Sequence, residues 1–222
     1  MNMPHGSLAE RDYNAGEDDD SMDVKGTDRR IYQNAIYNGV CSPVLDGLLY
    51  LGSDTVARDY DKLKESGITH IINCAAGYSP DYHADKGLKY LSYHLKDHVR
   101  ENIECCFYEC IEFIEQARKE GGRVYVHCVQ GISRSTTICL CYMIKTQKIG
   151  MQEGLDMIRK IRAIANPNMT FMGQLIWFHK RLYGSSFDSI PVSPRVFLVC
   201  SHQPEDPFKV ACKLQMDNLY IQ

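Results

Sequence analysis

The 222-residue sequence lacks several features that would place it at a membrane or on nucleic acid. No window offers the roughly 18 consecutive apolar residues that a membrane-spanning helix needs, and the first twenty residues contain no apolar signal core. Lys and Arg number 25 against 28 Asp and Glu, and no basic stripe is long enough to follow a phosphate backbone. We therefore expect a soluble protein of the cytoplasm, the nucleus or both, with neither a membrane nor nucleic acid as partner.

The ten cysteines include no Cys-x-x-Cys pair. Cys105 and Cys106 are adjacent, and Cys139 and Cys141 are two apart, which is the wrong spacing for a zinc site. A dithiol oxidoreductase also usually carries the missing pair. We expect buried free thiols in a reducing compartment, with no metal and no cofactor.

Three segments differ in composition. Residues 1–37 are polar and acidic around GEDDDSMD and predict a disordered arm, whereas 38–184 has the apolar content of one folded domain. Residues 185–222 begin as a linker marked by Ser and Pro and contain one strand-like run, RVFLVC. This last segment is too short to form a core alone.

Within 38–184, short apolar runs alternate with helical patterns. The predicted strands are GLLYLGS, GITHIINCAA, LKYLSYHLKD and RVYVH, and helical spacing follows the first, third and fourth of them. Such alternation predicts an α/β fold, with a central and mostly parallel sheet flanked by helices in three layers.

The stretch VYVHCVQGISRSTT, residues 124–137, places a cysteine where a strand turns into a helix. A nucleophilic cysteine needs surroundings that favour the thiolate, such as a helix N-terminus or a nearby cation. Gly131 permits a tight turn, after which the backbone N–H groups from Val129 to Arg134 can converge on one anion. The stretch therefore predicts a phosphate-binding loop with Cys128 as its nucleophile. The residues expected to bind phosphate are Val129, Gln130, Gly131, Ile132, Ser133 and Arg134.

Three side chains around this loop have predicted roles. The planar fork of Arg134 can hold two oxygens of a tetrahedral oxyanion, and Ser135 can donate a hydrogen bond to the cysteine sulfur as it leaves phosphorus. His127 can support the loop through a ring N–H and help to keep the pKa of the thiol low.

Expelling an oxygen leaving group also needs a proton donor. If YLSYHL and RVYVH are parallel strands, their carboxyl ends share one sheet edge, and Asp97 follows the first of them. Asp97 is the predicted acid, and Glu101 is the alternative. An ordinary loop or capping aspartate is the competing interpretation.

At these residues the sequence resembles the dual-specificity protein phosphatases of the cysteine-dependent phosphatase superfamily. The resemblance covers roughly residues 42–183 and rests on GLLYLGS, GITHIINCA, Asp97, VHCVQGISRS and NPNMTFMGQL. It implies a metal-independent phosphatase in which Cys128 attacks phosphorus, Arg134 binds the phosphoryl oxygens, and Asp97 protonates the leaving group. The phrases GGRVYVHCVQGISRST and ANPNMTFMGQL resemble the plant-type MAP kinase phosphatases in particular, and 185–222 resembles the start of a gelsolin-like segment.

The resemblance implies a phosphoprotein substrate, carrying phosphotyrosine or phosphoserine and phosphothreonine, with a MAP kinase as the partner it suggests. Val129, Gln130, Ile132 and Ser133 add no positive charge to the loop, which favours a phosphoprotein over a phosphoinositide. A pseudophosphatase that binds phosphoproteins without turnover is the alternative. Cys74, at the end of a predicted strand, is either a buried structural thiol or a disulfide partner for oxidised Cys128.

Overall fold

The computed structural model describes residues 31–184 and contains one five-stranded sheet. Its strands are β1 (Ser42–Leu45), β2 (Leu49–Ser53), β3 (His70–Asn73), β4 (Lys89–Ser92) and β5 (Val124–Cys128). Their spatial order is β1-β2-β5-β3-β4, with only β1 antiparallel to its neighbour. The mostly parallel sheet is thus confirmed, and β5 lies at its centre.

Helices occupy most of the remaining described chain. They are α1 (31–38), α2 (Asp54–Arg58), α3 (Tyr60–Glu65), α4 (Phe107–Lys119), α5 (Arg134–Gln147), α6 (Met151–Ile161) and α7 (Met169–Tyr183), with 3-10 turns at Ala84–Lys86 and Ile103–Cys106.

Side chains of β5 alternate between the two faces of the sheet. Val124, Val126 and Cys128 belong to the large core cluster that contains the buried faces of α4, α5, α6 and α7. Tyr125 belongs to a smaller cluster with residues of α2 and α3. The sheet therefore separates two cores, which confirms the flanked, layered α/β fold.

The structure differs from the predicted elements in three places inside the domain. The predicted strand LKYLSYHLKD is shorter than expected, since only Lys89–Ser92 form β4 and Asp97 lies in the loop that follows. The single helix predicted between the first two strands is divided at Asp59, whose extended backbone ends α2 and whose carboxylate accepts from the Lys62 N–H to cap α3. The edge strand β1 was not predicted, because its sequence SPVL is short, contains a proline and is defined by antiparallel pairing with β2.

The predicted disordered arm reached residue 37, whereas 31–37 lie in α1. The last turn of α1 is held by a distant side chain, since Arg162 donates to the Tyr37 carbonyl at 3.1 Å and its guanidinium lies over the Tyr37 ring. The pattern of residues 31–37 alone could not predict this contact, because Arg162 lies 125 residues from Tyr37 in the sequence. The predictions for 1–30 and for 185–222 lie outside the described residues.

Candidate active site

Cys128 is the last residue of β5, at the carboxyl end of the central strand. It pairs in register with Ser53, the last residue of β2, while His127 pairs with Asn73 at the end of β3. The chain then forms a loop, 129–133, and enters α5 at Arg134. The predicted strand, loop and helix are all present at the sheet edge where parallel α/β proteins bind ligands.

All five carbonyl groups of the 129–133 loop accept hydrogen bonds from groups outside it. In order along the chain, the donors are the Asp54 N–H (3.1 Å), Arg162 twice (2.9 and 2.7 Å), the Asn166 N–H (2.8 Å) and the Thr137 N–H (2.9 Å). Because the N–H and C=O of a trans peptide point in opposite directions, these bonds turn the following N–H groups toward the inside of the loop. The backbone thus forms a concave set of donors suited to a tetrahedral anion.

Arg162 is the residue that sequence reasoning missed. It is completely buried, and its Nε and Nη2 donate to Gly131 O and Gln130 O. Its Nη1 donates to Tyr37 O, Val40 O and Ser42 Oγ at 3.1 to 3.3 Å. One guanidinium therefore joins the 129–133 loop to the end of α1, the start of β1 and the chain between them. Its spacing from Leu155 and Ile158, two buried residues of α6, was a sequence signal for burial.

Gly131 has φ of +68°, and a side chain there would meet other backbone atoms. A Cβ would lie 2.4 Å from Gly52 O and 2.6 Å from Arg162 Nη2. Both the left-handed conformation and the close approach of β2 therefore require glycine.

The Cys128 sulfur has two hydrogen-bond partners. Ser135 Oγ lies 3.2 Å from Sγ, and the Gly131 N–H donates to it at 3.3 Å. Burial alone raises the pKa of a thiol, but the charge of Arg134 and the hydrogen bonds from Ser135 and Gly131 outweigh it here. The pKa of Cys128 is consequently lowered from its ordinary value, which favours the nucleophilic thiolate.

The Arg134 side chain is 7% exposed and lies at the start of α5. One terminal nitrogen donates to Leu95 O at 3.0 Å, while Nε is buried without a protein acceptor. A buried guanidinium N–H of this kind suits an oxygen of a bound phosphoryl group.

Asp97 and Glu101 occupy the same loop after β4 but have different partners. Asp97 Oδ1 accepts from Ser133 Oγ and from Asn168 Nδ2, both at 2.9 Å. Glu101 instead accepts from the Lys96 N–H at 2.8 Å, within its own loop. Of the two candidate acids, Asp97 is the one in contact with the 129–133 loop.

His127 is buried and stacks on the Tyr125 ring at 5.7 Å between centroids. Burial lowers its pKa to about 4, against the opposing attraction of Asp54, so the ring is neutral near pH 7. Its predicted contribution to a low thiol pKa cannot then come from a positive charge.

Cys74 follows β3 and donates its N–H to His127 O at 2.9 Å. It is a completely buried free thiol whose pKa burial raises well above the usual value. Cys74 therefore lies just after β3, the strand that pairs with β5, and its backbone binds the residue that precedes Cys128.

Over residues 31–184, no group of three or more His, Cys, Asp or Glu side chains is arranged to hold a metal ion. Within that same stretch, no helix combines the length and apolar character needed to cross a membrane.

Fold and site together define a class: α/β proteins with a cysteine in an anion-binding loop between the central strand and the next helix. The model of the dual specificity phosphatase catalytic domain matches residues 49–181. The chain belongs to this family.

Several relatives agree with that assignment. The chain is 35% identical over 187 residues to the protein-tyrosine-phosphatase MKP1 of Arabidopsis thaliana, covering 82% of this chain and 23% of that protein. It is 38% identical to dual specificity protein phosphatase 1-A of Xenopus laevis, covering 67% of this chain and 40% of that protein. The chain therefore spans less than half the length of these relatives.

Two solved structures share the fold. The crystal structure of DUSP15 matches with a TM-score of 0.59 and 39% identity, over 63% of this chain and 86% of that one. The human tyrosine phosphatase-like serine/threonine/tyrosine-interacting protein matches with a TM-score of 0.60 and 29% identity, over 65% of this chain and 98% of that one.

Proposed function

We propose that this protein hydrolyses phosphate monoesters on phosphoproteins through a cysteinyl-phosphate intermediate. The observation that carries the proposal is the position of Cys128. Its thiol has a lowered pKa and lies at the base of a loop whose carbonyl groups all accept hydrogen bonds from groups outside the loop. The buried Arg134 lies at the end of the same loop. This combination supplies a nucleophile and oxyanion stabilisation in one site.

In the first step, the Cys128 thiolate attacks phosphorus and the bond from phosphorus to the substrate oxygen breaks. The 129–133 N–H groups and Arg134 bind the three phosphoryl oxygens, and the Asp97 carboxylic acid transfers its proton to the leaving oxygen. The hydrogen bonds from Ser133 and Asn168 support this role for Asp97, because they hold its carboxyl group against the loop.

In the second step, water attacks the phosphorus of the cysteinyl phosphate and gives a proton to the Asp97 carboxylate. The sulfur–phosphorus bond breaks, its electron pair returns to sulfur, and inorganic phosphate is released. Ser135 Oγ, 3.2 Å from Sγ, can donate a hydrogen bond to the departing thiolate.

For the substrate, we propose phosphotyrosine together with phosphoserine or phosphothreonine on a protein, in the cytoplasm or nucleus. The uncharged residues of the 129–133 loop and the similarity to proteins named dual specificity phosphatases support this class. A MAP kinase as the phosphoprotein partner is supported by the similarity to the plant MKP1.

The alternative is a catalytically weak pseudophosphatase that binds phosphoproteins. The similarity to a tyrosine phosphatase-like interacting protein gives it some support. The intact set of Cys128, Arg134, Asp97 and Ser135, with the contacts described above, favours turnover.

Hydrolysis of a small aryl phosphate in excess chelator tests the proposal. We expect turnover by the wild type and none by Cys128→Ser, which keeps the loop but replaces the thiol with a hydroxyl that remains protonated. Turnover that survives the substitution would reject the cysteine mechanism, and no turnover by the wild type would favour the binding module.

We also propose that Cys74 traps oxidised Cys128. Peroxide would oxidise the Cys128 thiolate to a sulfenic acid, and the Cys74 thiol would then form a disulfide with release of water. The position of Cys74 beside the terminal pairs of β3 and β5 supports this step. Peptide mapping after mild peroxide should find a Cys74–Cys128 linkage that Cys74→Ser abolishes. Its absence in the wild type would leave Cys74 a structural thiol.

A further inference from the structure

A cavity of about 360 Å³ opens beside the 129–133 loop. One wall is α1, through Asn34, Ala35 and Asn38, and the facing wall is the loop itself, through Val129, Gln130 and Ile132. Val129 and Gln130 are the two residues immediately after the nucleophile. The cavity therefore shares three of its lining residues with the candidate phosphate-binding loop.

The two walls are joined by buried hydrogen bonds. Arg162 donates to Gln130 O and Gly131 O on the loop side, to Tyr37 O in the last turn of α1, and to Val40 O just after it. Ser53 Oγ also donates to Asn38 O, which ties the same end of α1 to β2. The position of α1 relative to the loop is thus set by the fold, so the cavity is a built feature.

The lining combines aliphatic surface with neutral polar groups. Val129, Ile132 and Ile164 supply aliphatic surface, while the Asn34 and Asn38 amides can donate and accept hydrogen bonds. Asp54 is the sole ionisable side chain among the described lining residues, and it already pairs with Arg58 at 2.6 Å and Tyr82 Oη at 3.0 Å. This lining contains no cation to bind a second phosphate.

We propose that this cavity is a substrate subsite for an uncharged side chain near the phosphorylated residue, and that it discriminates against an acidic or phosphorylated side chain at that position. The inference rests on the proposed function, because the phosphoresidue must occupy the 129–133 loop for a neighbour to reach the cavity. A side chain such as Gln or Leu matches the aliphatic and amide lining. A carboxylate or phosphate would lose its hydration beside Asp54 without gaining a cation.

The test uses pairs of phosphotyrosyl peptides. The two peptides of a pair differ at one position near the phosphotyrosine, which is Gln in one and Glu in the other, and each nearby position has its own pair. In the wild type, kcat/KM should fall about tenfold with Glu at one position, consistent with the discrimination that a shaped pocket provides. Ala35→Trp, which fills the cavity from the exposed face of α1, should abolish this preference. It should also lower kcat/KM for the Gln peptide relative to that for a small aryl phosphate.

Ile36→Trp is the matched control, since Ile36 is the next residue of α1, half exposed and not part of the lining. It should keep the wild-type ratio of peptide to aryl phosphate turnover. A second variant, Ala35→Lys, should reverse the discrimination by supplying the missing cation, so that the Glu peptide becomes the better substrate.

Equal ratios for Ala35→Trp, Ile36→Trp and the wild type would overturn the subsite while leaving the phosphatase proposal intact. Failure of the wild type to hydrolyse either aryl phosphate or peptide would overturn the proposed function and the subsite with it.

Discussion

Asp97 and Ser133 lie 36 residues apart in sequence and are joined by a 2.9 Å hydrogen bond from the serine hydroxyl to the aspartate carboxyl group. Ser133 also accepts from the Asn168 N–H at 3.1 Å, and Asn168 Nδ2 donates to the same Asp97 oxygen. The loop after β4, the 129–133 loop and the start of α7 are thereby held together at the sheet edge.

This arrangement predicts that Asp97→Asn lowers kcat about a hundredfold or more, because general acid catalysis contributes effects of that size. The loss should grow as the leaving group becomes more basic, since a poor leaving group depends most on proton donation. Steady-state kinetics on a series of aryl phosphates measures both effects.

Glu101→Gln is the matched control for the acid assignment. The Glu101 carboxylate accepts from the Lys96 N–H within its own loop, so its substitution should leave the leaving-group dependence as in the wild type. A leaving-group effect seen only with Glu101→Gln would transfer the acid role to that residue.

Gly131→Ala should abolish most activity and destabilise the fold. The methyl group would meet the Gly52 backbone at 2.4 Å, in addition to the cost of about 1–2 kcal/mol for a left-handed conformation. Gly87→Ala is the control, because Gly87 has φ of +80° and open space around its Cβ position. In urea unfolding, Gly87→Ala should lower the free energy of unfolding only by this conformational cost, and the variant should keep full activity. Wild-type turnover by Gly131→Ala would contradict the close approach of β2 to the loop.

Arg162→Lys should keep the charge but lose the fork that holds two loop carbonyls. Small displacements of catalytic geometry cost up to about a hundredfold in rate, so we expect kcat to fall tenfold to a hundredfold. Inhibition by vanadate, a tetrahedral oxyanion, should weaken in parallel as the N–H groups lose their alignment. Arg118→Lys makes the same substitution at an exposed ion pair with Glu115 and should change neither property. Normal vanadate affinity with Arg162→Lys would show that the loop keeps its shape without this side chain.

The lowered pKa of the buried His127 predicts that the stability of the fold depends on pH. Its folded pKa of about 4 lies below the ordinary value of 6.5, so between these values the unfolded chain binds more protons than the folded one. The free energy of unfolding should therefore fall as pH decreases from 6.5 toward 4, by about 3 kcal/mol from this residue. Urea unfolding at pH 7 and pH 4.5 should show a smaller fall for His127→Asn than for the wild type. Equal falls would mean that burial does not shift this histidine.

The sequence alone predicted those features of the fold and of the candidate site that depend on patterns along the chain. Strand alternation predicted the mostly parallel sheet, and the spacing of Cys128, Gly131 and Arg134 predicted a loop between a strand and a helix. The position of Asp97 near the 129–133 loop required only the rule that parallel strands end at one sheet edge. These features follow from patterns along the chain and from the general geometry of parallel sheets.

Other features depend on contacts between distant segments. Arg162 lies among basic residues of the sequence IRKIRAI, yet its partners come from the end of α1 and from the 129–133 loop. The same guanidinium binds Tyr37 in the last turn of α1, a helix that the sequence pattern did not predict. The cavity between α1 and the loop was beyond prediction for this reason.

Detection of phosphate on Cys128 tests the central claim most directly. With an aryl phosphate that has a weakly basic leaving group, Asp97→Asn should slow hydrolysis of the intermediate more than its formation, so the cysteinyl phosphate should accumulate. The variant can be mixed with this substrate, quenched in denaturant and digested for mass spectrometry. We predict that the peptide containing Cys128 gains the mass of one phosphoryl group, and that Cys128→Ser in the same background does not. An unmodified cysteine during continuing turnover would contradict the cysteinyl-phosphate mechanism.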